Sequence, residues 1–302
     1  MSLKTKINTL FHNPRRVLVR SLESASFLFK EDSECYLQLR FLVNGGYRLN
    51  LKNPQTFNEK LNWMKLHYHH PQLPLMADKY AVKQFVADRI GREYVVENLG
   101  VWNASAEIDF DSLPKKFVLK CTHDSGGVFI CKDKSCFDRE GVCREIDRKL
   151  SRNYSSPGRQ WVYKDIPPRV LADKFLEDGN DAAAVNLDYK FWCFGGVPRL
   201  MYITIKDEQV FENFYDMDFQ PVNIDHGFER HKPEFQKPES FELMRELAAK
   251  LSSGIPFVRV DFFEIGGQPY FGEFTFYDWG GLRPFRSYAQ DLELGGLIHL
   301  PL

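Results

Sequence analysis

The chain has 302 residues, of which 43% are hydrophobic and 27% charged, a balance that excludes a disordered chain and fits one large or two medium globular domains. Its 40 basic residues nearly cancel 41 acidic ones, so the molecule lacks the positive field on which nucleic-acid binding depends. No window approaches the ~20 consecutive apolar residues of a membrane-spanning helix, and no secretory leader is visible, so a cytoplasmic location is expected. Six cysteines, Cys35, Cys121, Cys131, Cys136, Cys143 and Cys193, form no CxxC pair and no zinc-type spacing, which points to buried reduced thiols. With 26 Phe and 13 Tyr the chain can build a large core without disulfides.

The first 22 residues carry Lys4, Lys6, Arg15, Arg16 and Arg20 among Leu3, Ile7, Leu10, Phe11 and the run Val17 to Val19. Such a basic amphipathic segment can rest on an anionic membrane surface, or it can pack on the protein body with its charges solvated. Thr56-Phe57-Asn58-Glu59 fits a capping box, so a helix is predicted from there to about His67 with Phe57, Leu61 and Met64 on its buried face. A second helix is predicted from about Lys79 to Ile90, stopped by Gly91. The first hundred residues thus read as mostly helical.

Beyond them the pattern changes to short alternating strands separated by Gly, Pro and Asp, as in an antiparallel sheet. Strands are predicted at Phe117 to Cys121 and Val128 to Cys131, around the loop Thr122-His123-Asp124-Ser125-Gly126-Gly127. A helix follows from about Asp138 to Asn153, then strands at Tyr189 to Phe194 and Arg199 to Ile205, a helix over 239–252 and a hairpin over 257–276.

Two of these features carry chemistry. Lys120 precedes the glycine loop and Lys132 follows it, and backbone amides with nearby ammonium groups can surround a phosphate; the same pattern also suits a plain surface turn. Neither a GxxxxGK[ST] loop nor a GxGxxG turn is present, so any nucleotide is held differently. In the last hairpin, alternation places Arg259 and Asp261 on one face, and Glu273 and Thr275 share a face. An odd loop centred on Gly267 sets Asp261 opposite Glu273 and Arg259 opposite Thr275, whereas a two-residue turn at Gly266-Gly267 separates them. Two close carboxylates in an apolar hairpin repel unless a cation or proton intervenes. Magnesium would answer this, and so would an ion pair with Arg259.

The order of these motifs resembles the ATP-grasp superfamily, and most nearly its TupA-like family of bacterial surface-polysaccharide and teichuronopeptide biosynthesis. The likeness is carried by Phe57-Asn58-Glu59-Lys60, Ala77-Asp78-Lys79-Tyr80, Phe117-Val118-Leu119-Lys120-Cys121, Asp173-Lys174-Phe175-Leu176-Glu177, Asp188-Tyr189-Lys190-Phe191, Phe214-Tyr215-Asp216 and Pro256 to Asp261, and spans about residues 50–300. It implies an α+β ATP-grasp fold in which two α+β subdomains clamp ATP: a mostly helical region over 1–110, a lid with the glycine loop over 111–172, and a C-terminal subdomain with the magnesium site over 173–302. By the same resemblance, Lys120, with His123, Ser125, Gly126, Gly127 and Lys132, contacts the phosphates, and Asp173, Phe175 and Asp188 line the nucleoside. Asp261 and Glu273 hold magnesium, with Thr275 where many relatives have asparagine, and Arg259 stabilises charge at the reacting group. Arg283, in the segment after the hairpin, can meet an acceptor carboxylate.

The implied activity is ATP-dependent carboxylate-amine ligation through an acyl phosphate. Its partners are a glycan-linked uronic-acid or amino-acid carboxylate and an amine, with no nucleic acid. A glycosyltransferase, a sugar kinase and a non-catalytic glycan- or membrane-binding scaffold are the alternatives.

Overall fold

A computed structural model describes residues 14–177, 187–206 and 209–301. Among the described residues, five α-helices come first: α1 (Pro14–Ser24), α2 (Glu34–Val43), α3 (Phe57–His67), α4 (Leu73–Ala77) and α5 (Val82–Ile90). The Thr56 capping box is formed, and the Glu59 carboxylate also accepts from the amides of Asn50 and Gln55 at 2.7 and 2.9 Å, which ties the incoming loop to α3. Phe57, Leu61 and Met64 are buried as the spacing predicts, and Phe57 stacks on Trp192 at 4.9 Å. Gly91 ends α5 with φ +119°, where a side chain would be strained. The N-terminal basic segment lies largely outside the described residues; of it, Arg15, Leu18 and Arg20 on α1 are exposed. No described helix is long and apolar enough to cross a membrane.

The next unit is a four-stranded antiparallel sheet of β1 (Asn98–Trp102), β2 (Phe117–Cys121), β3 (Val128–Cys131) and β4 (Val170–Lys174), in the order β1-β4-β2-β3. Helix α6 (Arg139–Leu150), capped by Asp138, connects β3 towards β4, with the short α7 (Ser155–Gly158) behind it. One face buries Phe117, Leu119, Cys121, Cys131, Val170 and Ala172 against Ile146 of α6. The opposite face carries Val118, Lys120, Val128, Ile130 and Asp173, and its Val128 and Ile130 are 44% and 54% exposed. Strand β1 falls inside the stretch expected to be helical, and β4 crosses the expected boundary at 172. The half-buried Asn98–Trp102, with an irregularity at Gly100, has no clean alternation to announce a strand.

The second sheet has six antiparallel strands: β5 (Tyr189–Phe194), β6 (Val197–Lys206), β7 (Val210–Tyr215), β8 (Pro221–Val222), β9 (Phe257–Ile265) and β10 (Gln268–Thr275), in the order β10-β9-β5-β6-β7-β8. Helix α8 (Phe241–Ser252) covers it, and α9 (Tyr288–Gly296) returns to α3, where Asp291 accepts from the Asn58 amide and side chain at 2.9 Å. Both helices and α3 to α5 join one large core around Trp192, Phe191 and Phe257. Cys121, Cys131 and Cys193 are buried, but Cys35 and Cys136 are exposed, against the expectation of uniformly buried thiols, because they sit on the outer sides of the first turn of α2 and of a surface turn.

Candidate functional site

The β9–β10 hairpin resolves the register question in an unanticipated way. The turn is the two-residue one, Gly266-Gly267 with φ +56° and +75°, pairing Ile265 with Gln268. Alone it would separate the polar groups. A bulge between Phe271 and Phe274 then adds one residue to β10, and Arg259 pairs with Thr275 after all. Gly272 sits in the bulge, where a Cβ would meet the Asp261 carbonyl oxygen at 3.1 Å.

The corrected register gathers the charges. Arg259 Nη2 donates to Asp261 Oδ2 at 2.7 Å and Glu273 Oε1 at 3.2 Å, and its Nε donates to Asp261 Oδ1 at 2.7 Å. The Nη1 side reaches Asp278 Oδ1 at 2.7 Å and the Tyr202 hydroxyl at 3.1 Å. Burial alone would lower the Arg259 pKa, but Asp261, Tyr202 and Asp278 reverse that and raise it well above its usual value. Burial likewise works against the Asp261 carboxylate, and Arg259 and Lys190 override it, so its pKa stays below the ordinary range. Lys190, from β5, bridges Asp261 and Asp188 at 3.0 Å each. The sequence motif contained Lys190, but nothing in it indicated that β5 would lie beside β9 and aim the ammonium at Asp261.

Asp261 and Glu273 therefore offer hard oxygens from one side of the sheet, a donor set that suits magnesium completed by phosphate oxygens. Asp261 is 3% exposed, while the Glu273 side chain is 37% exposed and open to a ligand. Nearby, Asp278 Oδ2 is buried without a partner. Among the described residues no group of three or more His, Cys, Asp and Glu side chains is arranged as a metal cage. Thr275, half-buried opposite Arg259, brings a hydroxyl to the same strand end.

On the four-stranded sheet, Lys120 Nζ contacts Asp173 Oδ2 at 2.9 Å and Lys83 contacts Asp173 Oδ1 at 2.9 Å. Asp173 is thus buried between two ammonium groups on the open face of the four-stranded sheet. Phe175 is half-buried just past β4, and Asp188 is exposed before β5. In the glycine loop, Ser125 and Gly126 are exposed and Gly127 is buried, its carbonyl accepting from the Cys121 amide at 2.8 Å. His123 turns inward: it is buried, with Nε2 3.3 Å from the Arg152 carbonyl. Asp124 fastens the loop base, taking Lys149 at 3.0 Å on Oδ2 and the Lys79 ammonium on its carbonyl. Lys132 is exposed beyond β3. Tyr154 lies in the field of both the loop and the hairpin: burial raises its pKa, and Glu273 and Asp124 add to the rise against the opposing charge of Arg259.

Arg283 sits further along. Its Nε donates to the His226 carbonyl at 2.6 Å, and its guanidinium lies 3.6 Å from the Phe228 ring centroid. Arg159 is buried and donates to the Ser26 and Phe29 carbonyls, so its guanidinium serves the packing of the N-terminal helices.

No curated protein matches the chain. Among solved structures it is similar to D-alanine–D-alanine ligase from Bacillus anthracis complexed with ATP, at 14% identity over 67% of this chain and 53% of that one, TM-score 0.36. It is also similar to the RimK domain ATP-grasp protein from Sphaerobacter thermophilus, at 14% identity over 87% and 92%, TM-score 0.41. A third is the L-amino acid ligase from Bacillus licheniformis, at 11% identity over 90% and 57%, TM-score 0.41. The chain spans little more than half the length of the first and third of these. The model of one family, TupA-like ATPgrasp, matches residues 59–299, a stretch that contains every site residue placed above, and the chain belongs to that family.

Proposed function

We infer that the chain is an ATP-dependent carboxylate-amine ligase, which joins a uronic-acid or amino-acid carboxylate of a glycan to an amine in bacterial surface-polysaccharide synthesis. The observation that carries this reading is the convergence of Asp261 and Glu273 on one guanidinium nitrogen, at 2.7 and 3.2 Å. Magnesium, held by Asp261 and Glu273, would neutralise phosphate charge and polarise the transferring group. Lys120 and the exposed amides of Ser125 and Gly126 would bind the phosphates, and the apolar Val128 and Ile130 offer a surface to the base. The acid's carboxylate oxygen attacks the γ-phosphorus and ADP leaves, giving an acyl phosphate. The amine then attacks the acyl carbon, phosphate departs, and the amine loses a proton.

Arg259 suits the second step. Its neighbouring acids keep it charged, and with Glu273 drawn off to hold magnesium, the Nη2 donor which that carboxylate now occupies would be free for the oxyanion of the tetrahedral intermediate. The loop, anchored by Lys79 and Lys149, would exclude water from the acyl phosphate. The work belongs in the cytoplasm. The exposed Arg15 and Arg20 beside Leu18 support a peripheral contact of residues 1–22 with anionic lipid, measurable by sedimentation with vesicles.

Incubation with ATP, magnesium, candidate acids and amines tests the reading. Phosphate release is expected only with acid and amine together, and Asp261→Asn should lower it at least ~100-fold. A stable phosphosugar formed without any amine, or consumption of a sugar nucleotide without ATP, would overturn it.

A further inference from the structure

We propose that Trp279, Phe228 and Arg283 form the seat for a hexuronate, so that the acid activated by this protein is a sugar acid. This deepens the ligase reading and rests on it for the reaction, though the binding can be measured without it.

The backbone gives the first reason. Trp279 has φ +46° and ψ +29°, followed by Gly280 and Gly281 at φ +66° and +60°. Two of these positions suit glycine, but a bulky aromatic in the left-handed region costs about 1–2 kcal/mol. The turn is clamped from both ends. Gly280 N donates to the Tyr277 carbonyl at 2.7 Å, and the Gly281 carbonyl accepts from Asn62 Nδ2 of α3 at 2.6 Å. A Cβ on Gly281 would meet Leu61 Cβ at 3.0 Å, so helix and turn are in close contact.

The strain is not offset by burying the indole. Trp279 remains 37% exposed, its ring 5.0 Å from Phe228 and tilted 39° to it, with Nε1 3.4 Å from Glu212 Oε1. The indole is thus partly open to solvent, as a ring that stacks against the C–H face of a pyranose must be. Beside it, Arg283 lies 3.6 Å from the Phe228 centroid and 5.2 Å from that of Trp279. Only its Nε is engaged among the described residues, by the His226 carbonyl, which leaves the Nη pair to take a carboxylate bidentately. The nearby carboxylate of Glu212 is already committed to His226 Nδ1 at 3.1 Å and to the indole, so it holds the seat in place and leaves the guanidinium available.

Position supplies the last reason. Asp278, one residue before Trp279, binds Arg259 at 2.7 Å, so the seat adjoins the arginine assigned to the reacting acyl group. A ring stacked on the indole with its carboxylate near Arg283 is recognised as an acid before activation, and the aromatic face selects a sugar over a free amino acid. Trp279 and Arg283 are binding residues in this scheme, and Glu212 and His226 are positioning residues.

Saturation-transfer NMR on the full chain without nucleotide tests the seat, with D-glucuronate and D-galacturonate as probes and D-glucose and L-glutamate as comparators. At least one uronate should bind and show transfer to its ring protons. Trp279→Ala and Arg283→Met should each weaken it about tenfold or more, while Trp279→Phe retains most of the affinity. Glucose and glutamate should bind at least ~10-fold more weakly than that uronate. Unchanged magnesium-ATP binding by calorimetry certifies that the variants are folded. Binding by neither uronate, equal binding by folded Trp279→Ala and Arg283→Met, or glutamate binding as well as the uronate would overturn the proposal. If a uronate occupies the seat but no acid and amine pair releases phosphate, the ligase reading fails and the seat stands. Phosphate release with amino-acid substrates alone gives the converse.

Discussion

Arg259 and Lys65 show how differently burial acts on a cation with and without acids around it. Arg259 is enclosed by Asp261, Asp278, Glu273 and the Tyr202 hydroxyl, and its charge is locked in. Lys65, buried on α3, has Asn62 Oδ1 at 3.0 Å as its hydrogen-bond partner and lies 5.8 Å from the Tyr277 ring centroid. Burial, with a smaller push from Arg40, lowers its pKa well below the usual lysine value. Above that lowered pKa the native amine is neutral while the unfolded one still carries a proton until about pH 10.4. The unfolded state therefore binds more protons, and this residue's contribution to stability rises with pH in that window. Lys65→Met removes the desolvation penalty and should raise unfolding free energy at pH 7 by about 1 kcal/mol. The gain should shrink towards pH 10. Urea unfolding of both proteins at the two pH values checks this; an equal gain at both would show that the amine is charged in the folded chain.

At the scale of the hairpin, two glycines do separable work. Gly266 has φ +56° and open space around its missing Cβ, so Gly266→Ala should cost ~1 kcal/mol from backbone strain and leave nucleotide binding intact. At Gly272 a Cβ would press on the Asp261 carbonyl at 3.1 Å and Cβ at 3.4 Å, so Gly272→Ala should move Asp261 away from Glu273. Magnesium-ATP affinity should then fall at least ~10-fold. Melting curves with calorimetry separate the two, and retained affinity in Gly272→Ala would remove the bulge from the site's construction. The same hairpin shows what was legible in advance. Alternation named Arg259, Asp261, Glu273 and Thr275, and Gly266-Gly267 marked where the chain turns while leaving open an odd loop or a two-residue one, because both signals are local. The bulge that reconciles that turn with the convergence was not legible, since Tyr270-Phe271-Gly272-Glu273 reads as an unbroken strand with one glycine. Lys83, Lys190 and Asp278 went unassigned for a related reason: each reaches the site through a pairing distant in sequence. The capping box and the strands β2, β3 and β5 were clear, whereas β1, β7 and β8, short or irregular at an edge, carried little pattern.

Among the described residues each sheet has its own apolar core, a third and smaller cluster gathers Leu37, Phe41, Leu49, Leu51 and Leu282, and α4 and α5 belong to the largest of the three. The contact between these helices and the four-stranded sheet includes a polar seam: Asp78 with Arg169 at 2.6 Å, Lys83 with Asp173 at 2.9 Å, and Lys79 with the Asp124 carbonyl. Ion pairs at a boundary resist sliding less than an interdigitated core does, so the smaller lobe should move against the larger when a ligand bridges them. The loop Thr122–Gly127 is the natural first element to respond, because its tip is exposed while its base is fastened by Asp124. Hydrogen exchange with magnesium-ATP should slow over residues 122–132 by about tenfold or more and change little in β5 and β9, whose backbone is already paired on both sides. In Asp261→Asn the loop should lose that protection while both sheets keep theirs. Uniform slowing across both sheets, or protection of the loop that survives the substitution, would mean that the lobes do not close around the pair of carboxylates.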